Sequence, residues 1–377
     1  MISIRFFIYI LVMSSSLLIQ AWPIHKAHIK ENHITQKNSC AEFLQNLPKA
    51  ELHVHIEGTL EPEQLLLFAK RNNVTLPIQT ILTDDKKAYR FSDFHSFLEA
   101  YVAATQALCT QQDFYEMTLA YLEKAHQQGV VHAEIYFDIQ TYAPRNINPD
   151  VVVYGIHKGI QEGFKRFGIS ASMIFSLLCY EEAQGAFVNF EIIRKRYKNI
   201  INTIGLAAGE YGDPITKFKP VFVAAHNEGY RCVTHAGEFH PELIWQALQN
   251  IPIERIDHGI ACVSDQKLMQ ELARRKIPLT ICPISNAMLN LCKSIQDHPI
   301  KKIYDADIMV TINSDDPAFF RSYVGDNYQT LLQEHILSCN QLVQCARNSI
   351  NASFIDKERK QTLLALIDLQ AANHTCT

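Results

Sequence analysis

The sequence lacks an excess of charge of one sign. Its 377 residues carry 35 lysines and arginines against 39 aspartates and glutamates, a net charge of −4 with the sixteen histidines neutral. No stripe of lysine and arginine runs along any segment, so the electrostatic footprint that follows a phosphate backbone is missing. Nucleic acid is therefore not an expected partner.

Long apolar runs are scarce as well. The run at residues 6–19 contains three serines and falls short of the roughly 20 residues that cross a bilayer. It follows Arg5, and Ala21 offers a small residue for cleavage before Trp22. The pattern predicts a signal peptide over residues 1–21, export to a periplasm or to the outside of the cell, and no membrane attachment after cleavage.

Paired cysteines at metal-binding spacing are absent. None of the ten cysteines belongs to a Cys-x-x-Cys pair, so a cysteine-ligated metal is not expected. Several, such as Cys232 and Cys282, fall within apolar runs, where buried thiols are common. Most cysteines are expected to be free core residues, and no disulfide pairing can be read from the sequence.

What the sequence does contain is a series of eight short apolar runs. They are residues 51–56, 130–137, 169–179, 200–208, 230–236, 255–260, 278–284 and 308–314. Segments of helical period lie between them, for example residues 62–71, 150–167, 215–227, 241–249 and 265–275. Parallel strands buried on both faces have this pattern, because a crossover must carry the chain to the next strand. The sequence predicts an α/β fold, a (β/α)8 TIM barrel, with a doubly wound sheet as the alternative.

One domain is expected over residues 39–377, after a polar, non-periodic and flexible lead-in at residues 22–38. Residues 57–129 are too long for a simple crossover and predict a helical insertion after the first strand. Such an insertion lies at the carboxyl ends of the strands, so its aromatic residues would form part of a lid. Those residues are Phe91, Phe94, Phe97 and Tyr101. Helices over about residues 327–371 would close the domain.

Histidines and acidic residues collect at the predicted strand ends. His53 and His55 are two residues apart on the first strand, so both imidazoles point to the same face. The fifth strand ends at His235 and the eighth at Asp315. Three imidazoles and one carboxylate form a ligand set that zinc accepts while keeping a position for water. We predict one zinc ion per chain, bound by these four residues and favoured over iron or cobalt.

A two-metal site is the competing design, and it uses a lysine from the fourth strand to bridge the metals. Residues 204–210, Ile-Gly-Leu-Ala-Ala-Gly-Glu, contain no lysine, which favours a single metal. The sixth strand ends in Asp257 and His258 and adds a titratable ring at the same rim.

Together these motifs resemble those of the adenosine/adenine deaminase family, metal-dependent barrels of the amidohydrolase superfamily. The resembling segments, in chain order, are residues 48–53, 204–206, 235–238, 257–259 and 314–317. The resemblance implies hydrolytic deamination of a 6-aminopurine, either adenine to hypoxanthine or adenosine to inosine, with release of ammonia. It also implies a place in purine salvage or catabolism.

The resemblance further implies a role for each site residue. Zinc at the four ligands would lower the pKa of its bound water to about 7. Glu238 would be the acid that donates a proton to purine N1, and His258 would orient the hydroxide. Asp316 would hold N7, and the Gly205 backbone N–H would meet N3.

Within the family, several positions favour the adenine branch. Glu57 stands where adenosine enzymes have an aspartate that contacts the sugar. Residues 137–141 and 282–286, Phe-Asp-Ile-Gln-Thr and Cys-Pro-Ile-Ser-Asn, also resemble adenine deaminases. Departures from that branch are Ile139, Tyr142 and the pair Arg321 and Ser322. Adenosine or an N6-substituted adenine therefore stays open as the alternative substrate, and export is itself more typical of adenosine enzymes.

A protein that binds purines outside the cell without turnover is the alternative of another class. Degenerate enzymes usually lose metal ligands or the acid, whereas this chain keeps the whole set, which favours an enzyme. The oligomeric state cannot be predicted from the sequence.

Overall fold

Eight strands, each followed by at least one helix, form the frame of the structure, a computed structural model that describes residues 40–210 and 214–374. The strands are β1 (Lys49–His55), β2 (Val130–Phe137), β3 (Ser170–Leu178), β4 (Ile201–Ala207), β5 (Arg231–Ala236), β6 (Arg255–His258), β7 (Leu279–Ile281) and β8 (Val310–Ile312). They hydrogen-bond in chain order, and every neighbouring pair is parallel. The sheet closes beyond β8, where the Asp315 N–H donates to His53 O at 3.1 Å. The predicted (β/α)8 barrel is confirmed, and the doubly wound alternative is wrong.

Helices surround the barrel and fill its long connection. They are α1 (Cys40–Asn46), α2 (Pro62–Arg71), α3 (Ile78–Ile81), α4 (Phe94–Thr105), α5 (Gln111–Gln127), α6 (Pro149–Phe167), α7 (Ala183–Arg196), α8 (Pro214–Asn227), α9 (Pro241–Asn250), α10 (Gln266–Arg275), α11 (Pro283–Met288), α12 (Ile300–Asp305), α13 (Pro317–Phe320), α14 (Val324–Gln333), α15 (Cys339–Ala352) and α16 (Lys357–Asn373). Short 3-10 turns occur at Glu57–Thr59, Ala143–Arg145, Ile260–Ser264 and Ile295–Asp297. The predicted helical segments coincide with α2, α6, α8, α9 and α10, and the predicted insertion holds α2 to α5.

Helix α4 of the insertion begins at a reciprocal cap. The Asp93 carboxylate accepts from the Ser96 backbone N–H at 2.8 Å, and the Ser96 hydroxyl accepts from the Asp93 N–H at 3.1 Å. This arrangement pairs two N–H groups that a helix start leaves without intrahelical partners. The cap therefore fixes where the aromatic stretch becomes helical.

Charged residues inside the barrel are paired and hold its strands in register. Arg255, fully buried, donates to Glu134 at 2.8 Å and to the Leu52 carbonyl at 3.2 Å. Glu51 accepts from the Tyr121 hydroxyl at 2.7 Å and from the Ser314 N–H at 3.1 Å. Arg255 and Glu134 form a buried ion pair, whereas burial raises the pKa of Glu51 and its partners here are neutral. Buried polar groups persist in a core only when they have hydrogen-bond partners of this kind. The Glu51 contacts tie β1 to the chain segment that follows β8.

A disulfide joins Cys40 in α1 to Cys339 at the start of α15, 299 residues apart. The other cysteines of the described residues are free, and Cys232 and Cys282 are buried as expected. The predicted signal peptide and lead-in lie outside the described residues. Across residues 40–210 and 214–374, no helix is long and apolar enough to cross a bilayer.

Candidate functional site

The side chains predicted at the strand ends line one cavity at the carboxyl end of the barrel. It is bounded by residues that follow β1, β2, β4, β5, β6 and β8, and by the inner face of α4. Site residues that meet there are His55, Glu57, His235, Glu238, His258, Asp315 and Asp316. Active sites of this architecture lie at this face, because loops from several strands converge there.

The four predicted metal ligands bring their ligand atoms together. His53 Nε2 lies 3.0 Å from His235 Nε2 and 3.2 Å from Asp315 Oδ1. His55 Nε2 lies 3.3 Å from His235 Nε2 and 3.4 Å from Asp315 Oδ1. Atoms around a tetrahedral ion bound at 2.0–2.2 Å are separated by roughly 3.3 Å. Four of the six separations in this donor set therefore match those around one tetrahedral metal ion.

Two of the three histidine ligands are neutral, and the third must release a proton. Against the cost of burial, Asp315 and Asp257 raise the pKa of His53 to about 9, so this ring loses a proton when a cation binds. Burial lowers the pKa of His55 to about 3 and that of His235 to about 4, so both rings are neutral, which metal ligation requires. Against the cost of burial, His53 and His258 hold the pKa of Asp315 well below its usual range. The Asp315 carboxylate is therefore ionised.

Residues behind the ligands fix their orientation. His53 Nδ1 lies 3.1 Å from the Thr280 carbonyl, an acceptor for the Nδ1 proton, so the neutral form of the ring has Nε2 unprotonated toward the site. The Ser285 hydroxyl donates to Asp315 Oδ2 at 2.6 Å. Asp257 Oδ2 accepts from the Tyr136 hydroxyl and lies 3.6 Å from His235 Nδ1, which has no hydrogen-bond partner in the structure, so the tautomer of His235 is not set by such a contact. Outer contacts like those of His53 and Asp315 set the tautomer and direction of metal-binding side chains.

His258 also lies beside the predicted metal-ligand atoms. Its ligating nitrogen lies close enough to His53, His235 and Asp315 for these four residues to form an alternative ligand group. His258 Nε2 is 3.8 Å from Asp315 Oδ2. His258 and Asp315 have φ values of 62° and 65°, which only a few per cent of residues other than glycine adopt. Strained backbone of this kind is concentrated at functional sites.

Glu238 lies buried at the end of β5, beside the metal ligands. Burial, followed by the neighbouring Glu210 and Asp315 carboxylates, raises its pKa to about 8. A carboxyl group with this pKa keeps its proton at neutral pH and can act as an acid. The geometry is consistent with the acid role expected from the sequence.

Glu210 holds the loop that carries Glu238. Its carboxylate accepts three backbone N–H groups in succession, from Glu238 at 2.8 Å and from Phe239 and His240 at 3.0 Å. This contact fixes the chain immediately after β5.

Asp316 also faces the cavity as a buried acid. Burial, then the adjacent Asp315, raises its pKa well above the usual value, and its Oδ1 atom has no hydrogen-bond partner in the structure. A Cβ added at Gly58 would lie 2.0 Å from that atom, so glycine leaves the room the carboxyl group needs. An unpartnered, protonated carboxyl group can bind a ligand nitrogen.

Glu57 is held by two tyrosines. The Tyr142 hydroxyl donates to one of its oxygens at 2.8 Å, and the Tyr101 hydroxyl of α4 donates to the other at 3.2 Å. Burial, then the nearby Asp138, raises the pKa of Glu57 to about 8, and burial raises that of Asp138 to about 6. Gln140 does not line the cavity. Its side-chain amide donates to the Ser176 carbonyl at 2.8 Å.

The predicted lid is present as the inner face of α4. Phe94, Phe97 and Tyr101 line the cavity, and Phe97 stacks on Phe320 with ring centroids 5.2 Å apart. Phe91 packs edge-on against Phe97 and does not line the cavity. The helix thus covers the cavity with apolar rings and one hydroxyl group.

Gly205 does not reach the cavity. It lies inside β4 beneath the ring of Tyr136, so an added Cβ would be 2.4 Å from Tyr136 Cε1. The cavity is lined from this strand by Ala207, Ala208 and Gly209. The structure therefore does not place Gly205 at the cavity, and the nearest backbone of this segment that lines it is at residues 207–209.

Sequence reasoning missed several residues that position the site: Tyr136, Glu210, Asp257, Ser285 and Asn286. Ser285 and Asn286 belong to the segment 282–286, whose sequence shows only a resemblance to adenine deaminases and indicates no role for either residue. Tyr136 is buried inside the barrel, where its ring covers Gly205 and its hydroxyl donates to Asp257, but an aromatic residue in a strand gives no functional signal by itself. Their roles depend on which element faces which, and that comes only from the assembled barrel.

Known proteins of the same type match the chain over most of its length. A family model described as adenosine deaminase matches residues 48–370. An adenine deaminase of Chlorobium phaeobacteroides is 44% identical over 327 residues, 86% of this chain and 97% of its own length. An adenine deaminase of Hahella chejuensis is 41% identical over 336 residues, 88% of this chain and 99% of its own. The crystal structure of adenine deaminase from Arthrobacter aurescens has a TM-score of 0.83 at 37% identity, covering 86% of this chain and 99% of that one.

Proposed function

The chain belongs to the adenosine deaminase family, and we propose that it removes the 6-amino group of adenine by zinc-dependent hydrolysis, giving hypoxanthine and ammonia. The observation that carries this proposal is the meeting of four metal-ligand atoms with the buried acid Glu238 in one cavity. Adenine deaminases at 41–44% identity support the choice of base.

Each side chain has a defined task in this reaction. His53, His55, His235 and Asp315 would hold the zinc ion, which would lower the pKa of water to about 7 and so supply hydroxide at neutral pH. Glu238 donates its proton to purine N1, which makes C6 electrophilic. His258, whose Nε2 lies 3.8 Å from Asp315 Oδ2, would orient the attacking hydroxide.

The purine is oriented by groups on opposite walls of the cavity. The protonated Asp316 carboxyl group donates to N7, which fills the hydrogen bond that Asp316 lacks in the protein. The backbone at residues 207–209 lines the cavity, and we expect an N–H group there to donate to N3. The apolar rings of α4 cover the base and exclude water, which strengthens each of these polar contacts.

The free base is the proposed substrate because Glu57 occupies the place of a sugar-binding aspartate. Its extra methylene extends the carboxyl group toward the ribose position, and Tyr101 and Tyr142 hold it there. A blocked or missing group of this size changes specificity by roughly 10–200-fold. We expect kcat/KM for adenine to exceed that for adenosine by such a factor, and Glu57→Asp to narrow the difference.

This preference is measured by assaying adenine, adenosine and an N6-alkyl adenine side by side. Turnover is recorded as the loss of the ultraviolet absorbance that is characteristic of the 6-aminopurine. Efficient adenosine turnover with adenine inert would reverse the substrate assignment and leave the reaction type in place. No turnover of any member by zinc-loaded protein would favour a purine-binding protein instead.

We also propose that the chain is exported. The predicted signal peptide supports this proposal, and so does the Cys40–Cys339 disulfide, since such bonds persist in oxidising compartments. The mature protein should begin near Trp22, as measured by N-terminal sequencing of material from its source. A soluble cytoplasmic species that begins at Met1 would reject export without affecting the deaminase assignment.

A further inference from the structure

A buried chain of hydrogen bonds leads from the start of α12 to His258. The Ile300 backbone N–H donates to His298 Nδ1 at 3.1 Å. His298 Nε2 lies 3.1 Å from Asn286 Oδ1, and Asn286 Nδ2 lies 3.1 Å from His258 Nδ1. The three side chains are 4%, 0% and 3% exposed. Neither Asn286 nor His298 has a task in the mechanism above.

The donor and acceptor roles along this series of hydrogen bonds are set at its α12 end. Ile300 opens α12, so its N–H has no partner within the helix and can only donate. His298 Nδ1 must therefore accept, and the proton of the neutral ring lies on Nε2. Burial lowers the pKa of His298 to about 4, which keeps the ring neutral.

The same argument fixes the orientation of the Asn286 side-chain amide. The His298 Nε2–H requires an acceptor, so the amide oxygen of Asn286 must face His298 and its NH2 group must face His258. The flipped amide would point an N–H group at His298, whose two ring nitrogens would then both have to accept. A neutral histidine cannot do this, so only one orientation of Asn286 is allowed.

We propose that Asn286 and His298 are positioning residues that hold His258 in the tautomer with its proton on Nε2. Because Asn286 donates to Nδ1, that nitrogen carries no proton, and the Nε2–H points toward Asp315 and the attacking oxygen. This inference rests on the proposed function for the task of His258, but the tautomer follows from the contacts alone.

The assignment also decides between the two ligand groups. A ring nitrogen that carries a proton has no lone pair for a metal, so His258 is a hydrogen-bond donor and His55 is the third histidine ligand. The donor then faces the oxygen where negative charge develops, which is where such a group stabilises the reaction.

The test is a long-range 15N–1H spectrum of zinc-loaded protein labelled at histidine, with the His258 signals identified by their loss in His258→Gln. We expect Nδ1 to be unprotonated and Nε2 protonated in the wild type. In Asn286→Asp the carboxylate accepts from both rings, so the His258 tautomer should invert. A wild-type ring with its proton on Nδ1, or no inversion in Asn286→Asp, would overturn the proposal.

Kinetics separates positioning from a merely structural role. Asn286→Asp should lower kcat by about 10²-fold or more, with KM and zinc content nearly unchanged. In serine proteases, a catalytic histidine in the wrong tautomer lowers kcat by up to ~10⁴-fold. His298→Gln, whose amide can accept from Ile300 and donate to Asn286, should keep kcat within about threefold. His298→Leu should lose about tenfold or more.

Equal losses in His298→Gln and His298→Leu, or loss of zinc from Asn286→Asp, would show that these residues only support the fold or the ligands. If no purine is turned over but the tautomer inverts as expected, the proposed function fails while the inference stands.

Discussion

Replacing His235 or Asp315 by alanine is expected to empty the metal site and to abolish purine deamination. Each variant removes one of four donors that lie 3.0–3.4 Å from their neighbours, and leaves the others around a site that no longer binds a dication tightly. Without the metal, the pKa of water returns from about 7 to 15.7, so turnover should fall by at least about 10⁴-fold. Elemental analysis and adenine turnover of the purified variants measure both effects.

Two controls define what this result means. His95, exposed on α4, is not a cavity residue, so His95→Ala should keep both zinc and turnover. His258→Gln should keep zinc and lose turnover, because His258 is assigned as a donor. Full metal content in His235→Ala and Asp315→Ala would reject the ligand set, and an empty site in His258→Gln would favour the group that includes His258.

The barrel could be predicted because its physics leaves a local trace in the sequence. A parallel strand covered on both faces is rich in apolar residues, and all eight predicted runs became strands, including β1 and β6, which also carry buried charged side chains. The ligands were predictable for a similar reason, since His53 and His55 share a face of β1 and strand ends meet at one rim. Both inferences need only the period of a strand and the direction of a parallel sheet.

Features that depend on register or on long-range packing were not predictable. The strand pattern placed Gly205 in β4 but could not show that Tyr136 covers it, nor that residues 207–209 form the turn at the cavity. The Cys40–Cys339 pairing spans 299 residues and has no local signal. The contacts of Asn286 depend on how α11 and α12 pack against β6, which no sequence period records.

Replacing Glu238 by glutamine is expected to lower adenine turnover by about 10²-fold or more while zinc content stays near normal. Glutamine keeps the shape of the side chain, and the backbone N–H of residue 238 can still donate to Glu210. The glutamine side chain has no acidic proton to give to purine N1. KM should change less than kcat, because the proton is transferred as the reaction proceeds rather than on binding. Steady-state kinetics with elemental analysis separates this result from metal loss.

The pH dependence supplies a second signature of the same acid. Burial, Glu210 and Asp315 raise the pKa of Glu238 to about 8, so the reactive protonated form is present at neutral pH and is lost as pH rises through that value. A bound dication favours the carboxylate and moves the midpoint to or below about 8. Wild-type kcat/KM should therefore fall on the alkaline side, and the residual activity of Glu238→Gln should lack that fall. Wild-type turnover in the variant, or an unchanged alkaline limb, would mean that another group protonates the purine.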